Sequence, residues 1–120
     1  MEQLLPNVAD IQYMPTVRAF KRLIESYQLQ RKYEKFDKWP AVLSDYQLAD
    51  DGCDPFGLGR TINQLDPLFR EIIIKSFFYK KQDIAVMYDL PYEIAQFKRL
   101  KKKAVIEVAA LLEIVVLKQA

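Results

Sequence analysis

The sequence contains no histidine and only one cysteine, Cys53. Histidine is the commonest general base and metal ligand, so its absence argues against a zinc site and against a histidine-activated thiol. A single cysteine cannot form an intramolecular disulfide, which is typical of proteins in a reducing cytoplasm. No motif pairs two carboxylates, or a nucleophile with a base. We therefore predict a non-enzymatic protein that uses neither a metal nor a cofactor.

Glycine is also scarce, at three in 120 residues, and there is no long apolar run. A membrane-spanning helix needs about 20 mainly apolar residues, and the N-terminus lacks the charged-then-apolar pattern of a signal peptide. We expect a cytoplasmic protein without membrane contact. The 51% of hydrophobic residues suffice for a core. Because β-branched residues cluster rather than alternate, the predicted fold class is mainly α.

The N-terminal part of the sequence predicts one amphipathic helix followed by loops. Residues 1–15 have little periodicity and are interpreted as an arm or a short helix. Thr16 is a plausible N-cap for a helix that runs to about Asp37 and stops before Pro40. Glycine, proline and aspartate are concentrated in residues 41–64, which predicts a loop-rich acidic linker.

The C-terminal part predicts a helix, a short helix, a tight turn and a long helix. Asp66 is placed as an N-cap with Pro67 at the first helical position, and this helix runs to about Tyr79. A short helix spans 82–89, and the last helix opens near Glu93, after a proline that interrupts the pattern. The predicted division is an N-terminal helical segment (1–40), the linker (41–64) and a helix-turn-helix domain (65–120).

Positive charge is concentrated in the last helix, although the net charge is only +2. Five of the six residues 98–103 are Lys or Arg, which suggests a local binding site for a polyanion. In a helix-turn-helix, the second helix is apolar on one face and enters the DNA major groove with the other. With Phe97, Leu100 and Ala104 turned inward, the basic residues point outward.

Each polar side chain of this unit is assigned a role from its chemistry. Glutamine can pair with adenine and arginine with guanine, so Gln96 and Arg99 are the predicted base contacts. Glu93 lies beside Gln96 near the N-terminal end, where recognition helices meet base edges. The predicted phosphate contacts are lysines, namely Lys98, Lys101, Lys102 and Lys103 in the last helix and Lys80 and Lys81 before the short helix.

The segment 88–104, YDLPYEIAQFKRLKKKA, followed by VIEVA, resembles the ArpU-type phage transcriptional regulators and the related RinA-type activators. These proteins typically end the recognition helix in a run like aromatic-x-Arg-x-Lys-Lys-Lys-Ala, which is here residues 97–104. The resemblance covers about residues 66–112. It implies a helix-turn-helix similar to the promoter-binding C-terminal domain of bacterial sigma factors. Family members usually have glycine in the turn and Ser or Thr at the cap, where this chain has Pro91 and Glu93.

The resemblance implies a regulator that activates phage late genes, such as packaging, structural and lysis operons, in a bacterial host. Its partners would be double-stranded promoter DNA and RNA polymerase. Two alternatives stay open from the sequence. One is a phage DNA-packaging recognition subunit, which also uses a helix-turn-helix. The other is a protein-interaction module whose basic helix binds an acidic partner, because lysine-rich faces do not by themselves specify DNA and are usually just solvated.

Two further segments carry expectations. The tail from Ala104 to Leu117 has apolar residues on two faces, and such a helix needs to be buried. We predict a homodimer, with coverage by the N-terminal helix of the same chain as the alternative. The acidic stretch 50–54 lacks the alternating acids and closing glutamate of a calcium loop, so we expect a solvated loop.

Overall fold

The computed structural model describes residues 10–118, and these residues form a mainly α fold, as predicted. The interpretation of residues 1–9 as part of an arm lies outside the described residues. The helices are α1 (Tyr13–Tyr33), α2 (Leu58–Asn63), α3 (Pro67–Ile73), α4 (Asp83–Tyr88) and α5 (Ile94–Leu111). Short 3-10 turns span Ser44–Tyr46 and Pro55–Gly57, and a π-helical turn, Ile74–Phe78, extends α3. None of the helices within residues 10–118 combines the length and apolar character that a membrane crossing requires.

The first helix starts earlier and ends earlier than its sequence pattern predicts. Its N-cap is Gln12, so the prediction of Thr16 as the cap is wrong. The Thr16 hydroxyl instead donates to the Gln12 carbonyl at 2.7 Å and accepts from the Val116 amide at 3.0 Å, which ties α1 to the C-terminal segment. The helix ends before Asp37 because Lys35 adopts a left-handed backbone (φ 69°), which stops helical propagation.

The stretch predicted as a loop-rich linker contains α2 and both 3-10 turns. Its apolar residues Leu48, Leu58 and Ile62 are buried in the same core as residues of α1 and α5. The Asn63 side chain bridges the backbone amide and carbonyl of Leu48, at 2.8 and 2.9 Å. Within residues 10–118 the stretch therefore packs as part of the fold.

The helix α3 begins as predicted, with Asp66 as its N-cap and Pro67 at the first helical position. Its last turn is π-helical, and this extra residue per turn lets two consecutive aromatic side chains face the core. The Phe77 ring packs edge-on against Phe20 with 5.0 Å between centroids, and the Phe78 ring stacks on Trp39 at 4.3 Å. Both contacts hold the C-terminal end of α3 against α1 and the loop that follows it.

The C-terminal tail is largely covered within the chain. The helix α5 packs against α1 and α3, and both Ile106 and Ala110 are buried. Ile114 packs on the core formed with α1, whereas Leu111 is exposed. Coverage of the tail by the N-terminal helix is the alternative to a homodimer, and α1 does pack against α5. A homodimer stays a prediction, but the need to bury the C-terminal tail no longer supports it.

Candidate nucleic-acid interface

The two helices α4 and α5 are held together by a small apolar cluster. Phe97 of α5, Val86 of α4 and Ile72 of α3 are each fully buried there. Partly buried side chains surround this cluster, namely Leu68, Met87, Leu90, Tyr92 and Leu100. Because Phe97 and Leu100 face inward, the opposite side of α5 is left to solvent, as its sequence pattern predicts.

The turn between α4 and α5 is closed by local hydrogen bonds. The Leu90 amide donates to the Met87 carbonyl at 2.9 Å, and the chain then leaves the helical direction at Pro91. Glu93 is the N-cap of α5, and its backbone amide donates to the Gln96 Oε1 atom at 3.4 Å. At 3.4 Å this bond is long and weak, so the Gln96 carboxamide can exchange it for another partner.

Exposed polar side chains follow one another along the open face of α5. Gln96, Arg99 and Lys103 are all exposed, and they line a shallow pocket of about 210 Å³ with Tyr92 and Leu100. A helical spacing of three and four residues places these three side chains on one side of the helix. They present an amide, a guanidinium and an ammonium group at one surface.

Lys98 and Lys102 lie on the other flank of the exposed face. Both are exposed, and the Lys102 ammonium group lies 5.6 Å from the centroid of the Tyr13 ring of α1. Burial raises the pKa of the Tyr13 hydroxyl, with a further contribution from the negative charge of Asp83. The exposed basic side chains of α5 therefore form two groups. Arg99 and Lys103 line the pocket, whereas Lys98 and Lys102 lie near α1.

Lys101 differs from the other lysines of α5. Its ammonium nitrogen lies 2.6 Å from the Asp83 Oδ1 atom and 5.5 Å from the centroid of the Phe77 ring. Its side chain is only 21% exposed. The assignment of Lys101 as a free phosphate contact is therefore corrected, because a carboxylate already neutralises its charge and the pair joins α5 to α4.

Lys80 and Lys81 lie in the segment that precedes α4, and both are exposed. Lys80 has a left-handed backbone (φ 55°), which turns the chain after the π-helical turn. The Lys81 amide donates to the Lys75 carbonyl at 3.0 Å, which fixes the segment on α3. Lys80 lines a groove of about 390 Å³ with Lys21 of α1.

Lys21 is a basic residue beside the interface that sequence reasoning missed. It lines the groove with Lys80 and also a second groove of about 310 Å³ that contains Lys98 and Lys101. In the sequence it is one of several cations on an amphipathic helix, and such cations ordinarily face solvent. Only the packing of α1 across α5 brings it near the C-terminal lysines.

Comparison with known proteins finds a phage protein that is similar to this chain over nearly its whole length. The chain is 32% identical to Protein Gp66 of Listeria phage A118 over an alignment of 137 positions, gaps included, which spans 94% of this chain and 95% of Gp66. The chain belongs to the Gp66 family. No family model and no solved structure matches this member of the Gp66 family, so its activity has to be argued from the site.

In this member of the Gp66 family, the acidic stretch 50–54 is structural as well as solvated. The Arg31 guanidinium, which is 3% exposed, makes a two-pronged contact with the Asp51 carboxylate at 3.0 and 2.7 Å. The Asp54 carboxylate accepts from the Gly59 and Arg60 amides at 2.7 and 3.2 Å. Asp50, Asp51 and Gly52 are exposed, as expected of a solvated loop, and Asp51 and Asp54 in addition tie the loop to Arg31 and to the start of α2.

The single cysteine of the Gp66-family chain lies within this stretch and is buried. The Cys53 thiol donates to the Glu34 Oε2 atom at 3.0 Å, and this hydrogen bond, with burial, raises the pKa of the thiol. A raised pKa keeps the sulfur protonated, which is the opposite of an activated nucleophile. Within residues 10–118, no group of three or more His, Cys, Asp and Glu side chains could hold a metal ion.

Proposed function

We propose that this Gp66-family protein binds double-stranded DNA sequence-specifically through α4, the turn and α5, and regulates phage transcription. The observation that carries the proposal is the shape of α5. It is anchored on one face by the fully buried Phe97 and exposes Gln96 and Arg99 on the other. A helix that enters the major groove needs both properties, because a rigid attachment fixes the register of the side chains that contact bases.

The two kinds of exposed group would do different work. Gln96 can accept from and donate to the edge of an adenine, and Arg99 can donate twice to a guanine. The exposed lysines Lys98, Lys102 and Lys103 would contact phosphates, which supplies affinity but no sequence information. The Gln96 Oε1 atom accepts only a weak bond from the Glu93 amide, so its carboxamide can turn towards a base.

The cellular role in the proposal is activation of late genes, such as packaging, structural and lysis operons. It rests on the resemblance of residues 66–112 to ArpU-type regulators and agrees with a relative that is a phage protein. The protein would bind upstream of the promoter and recruit RNA polymerase, or replace part of a sigma factor. The basic face of α5 would then lie on the DNA and leave the far side of the protein for polymerase.

The test is binding of the full chain to duplex DNA, measured by fluorescence anisotropy at several salt concentrations. One duplex carries the late-promoter region of the phage that encodes the protein, and a matched duplex has the same composition in random order. We expect tighter binding to the promoter duplex. The logarithm of affinity should fall with the logarithm of salt concentration, with a slope of about 0.9 per neutralised phosphate.

Equal affinity for both duplexes would contradict sequence-specific regulation at that promoter while keeping a polyanion site. The absence of binding to either duplex at low salt would overturn the whole proposal. It would instead favour a module whose basic helix binds an acidic protein.

A further inference from the structure

We infer that α1 takes part in DNA binding, with Lys21 contacting the phosphate backbone beside the α5 interface. This inference rests on the proposed function and extends the surface that it uses. It starts from the position of Lys21, which lines two adjacent grooves and lies between cations from two other parts of the chain.

The groove of about 310 Å³ lies between α1 and α5. Its charged side chains are Lys21, Asp83, Lys98 and Lys101, and its apolar wall includes Val17 and Phe77. Since Asp83 is paired with Lys101 at 2.6 Å, the net charge of the groove comes from the other two lysines. Lys21 and Lys98 are both exposed, and neither forms a salt bridge with another residue of the range 10–118.

The groove of about 390 Å³ is adjacent to the groove of about 310 Å³, and Lys21 and Phe77 line both. Its charged side chains are Lys21, Glu25 and Lys80. Lys21 shares one groove with Lys98 and the other with Lys80, and we call these three lysines the basic row. It carries charge from α5, α1 and the segment before α4. The Glu25 carboxylate also lines the groove with Lys80, and it forms no salt bridge inside residues 10–118.

Duplex DNA fits the basic row because of its charge density. It carries one negative charge per roughly 1.7 Å of helix axis, so cations on neighbouring elements can each neutralise a phosphate of one backbone. Lys98 belongs to both surfaces: it is on α5, and it lines the groove with Lys21. A DNA backbone that follows the flank of α5 would therefore meet Lys21 and then Lys80.

The experiment compares variants of the full chain on a random 30-base-pair duplex, because phosphate contacts do not depend on sequence. The variants are Lys21→Ala, Lys21→Arg and Lys32→Ala. Lys32 is an exposed lysine eleven residues further along the same helix, about 16 Å away and on nearly the same face, and it lines neither groove. Circular dichroism checks that all three variants keep the helical content of the parent chain.

We expect Lys21→Ala to weaken binding about tenfold at 50 mM salt and to reduce the salt slope by about 0.9, while Lys21→Arg and Lys32→Ala match the parent. Equal affinities and equal slopes for Lys21→Ala and Lys32→Ala would overturn the inference and leave the α5 interface intact. If the parent shows no preference in the promoter comparison described above while the Lys21 effect is retained, only the proposed specificity is overturned. Failure of the parent chain to bind the random duplex at 50 mM salt would overturn both the inference and the proposed function.

Discussion

The Lys101 ammonium group lies 2.6 Å from the Asp83 carboxylate, and this pair joins the helix that would contact DNA to the short helix that positions it. The ammonium group also lies 5.5 Å from the centroid of the Phe77 ring. Its two side chains are 21% and 34% exposed, so it is partly screened. The five cations of residues 98–103 therefore do not act alike, and one of them serves the fold.

The first prediction separates Lys101 from its neighbour Lys98 by two measurements on each variant. Lys101→Ala should lower the free energy of unfolding by about 1 kcal/mol, because it removes a partly buried ion pair and its contact with Phe77. This corresponds to a drop of about 4 °C in the melting temperature. Lys98→Ala should leave the melting temperature unchanged and weaken DNA binding more than Lys101→Ala does. The opposite ranking in both measurements would contradict the roles assigned here.

The second prediction concerns the apolar anchor of the interface. Phe97→Ala should destabilise the protein by about 3 to 5 kcal/mol, because the side chain is fully buried between α3, α4 and α5. Ile94→Ala is the matched control, since Ile94 is on the same helix but 44% exposed, and it should cost less than about 1 kcal/mol. Urea unfolding of both variants gives the comparison. A cost for Phe97→Ala no larger than that for Ile94→Ala would mean that α5 is not anchored in this way.

The third prediction is a pH dependence of stability that arises at Asp51. The hydrogen bond from the Arg31 guanidinium holds the pKa of the Asp51 carboxyl below its ordinary value, and burial acts against this. A depressed pKa in the folded state stabilises the protein above the unfolded pKa of about 3.9, and this stabilisation is lost as pH falls through the folded value.

Asp51→Asn should therefore reduce the free energy of unfolding by about 1 kcal/mol at pH 7, because solvent screens part of the interaction at the 33% exposed Asp51 side chain, and the difference from the parent should shrink towards zero as the pH is lowered. Asp50→Asn serves as the control, because Asp50 is exposed and accepts only from the Gly52 amide at 3.0 Å. Urea titrations at pH 7, 4 and 2.5 measure this convergence. A deficit for Asp51→Asn that stays constant over this range would show that the carboxylate charge is not what Arg31 requires.

Much of the helical order could be predicted from the sequence, because the signals are local. Asp66 and Pro67 mark a helix start whatever packs around them, and Pro91 interrupts a helix by its own geometry. The inward placement of Phe97 and Ala104 follows from helical spacing within α5. These features need no knowledge of distant residues, and the structure confirms them.

The positions that sequence reasoning missed depend on contacts between distant segments. Arg31 is buried because Asp51, twenty residues later, returns to it, and a charge pattern on a single helix indicates only an exposed face. Lys101 meets Asp83 only because α4 and α5 pack against each other in the fold. The cover of the C-terminal tail likewise requires the path of α1, which its own residues do not specify.

The most direct test of the central claim is selection of bound sequences from a pool of duplexes with a randomised central region. The parent chain, Arg99→Ala and Lys102→Ala would be compared, since Arg99 and Lys102 are both exposed and lie one turn apart on α5. We predict that the parent enriches a defined motif and that Lys102→Ala enriches the same motif with weaker binding throughout. Arg99→Ala should lose the preference at a guanine position, a discrimination of about 1 to 3 kcal/mol. Enrichment of an identical motif by all three proteins, or of none by the parent, would contradict the claim that this face of α5 recognises bases.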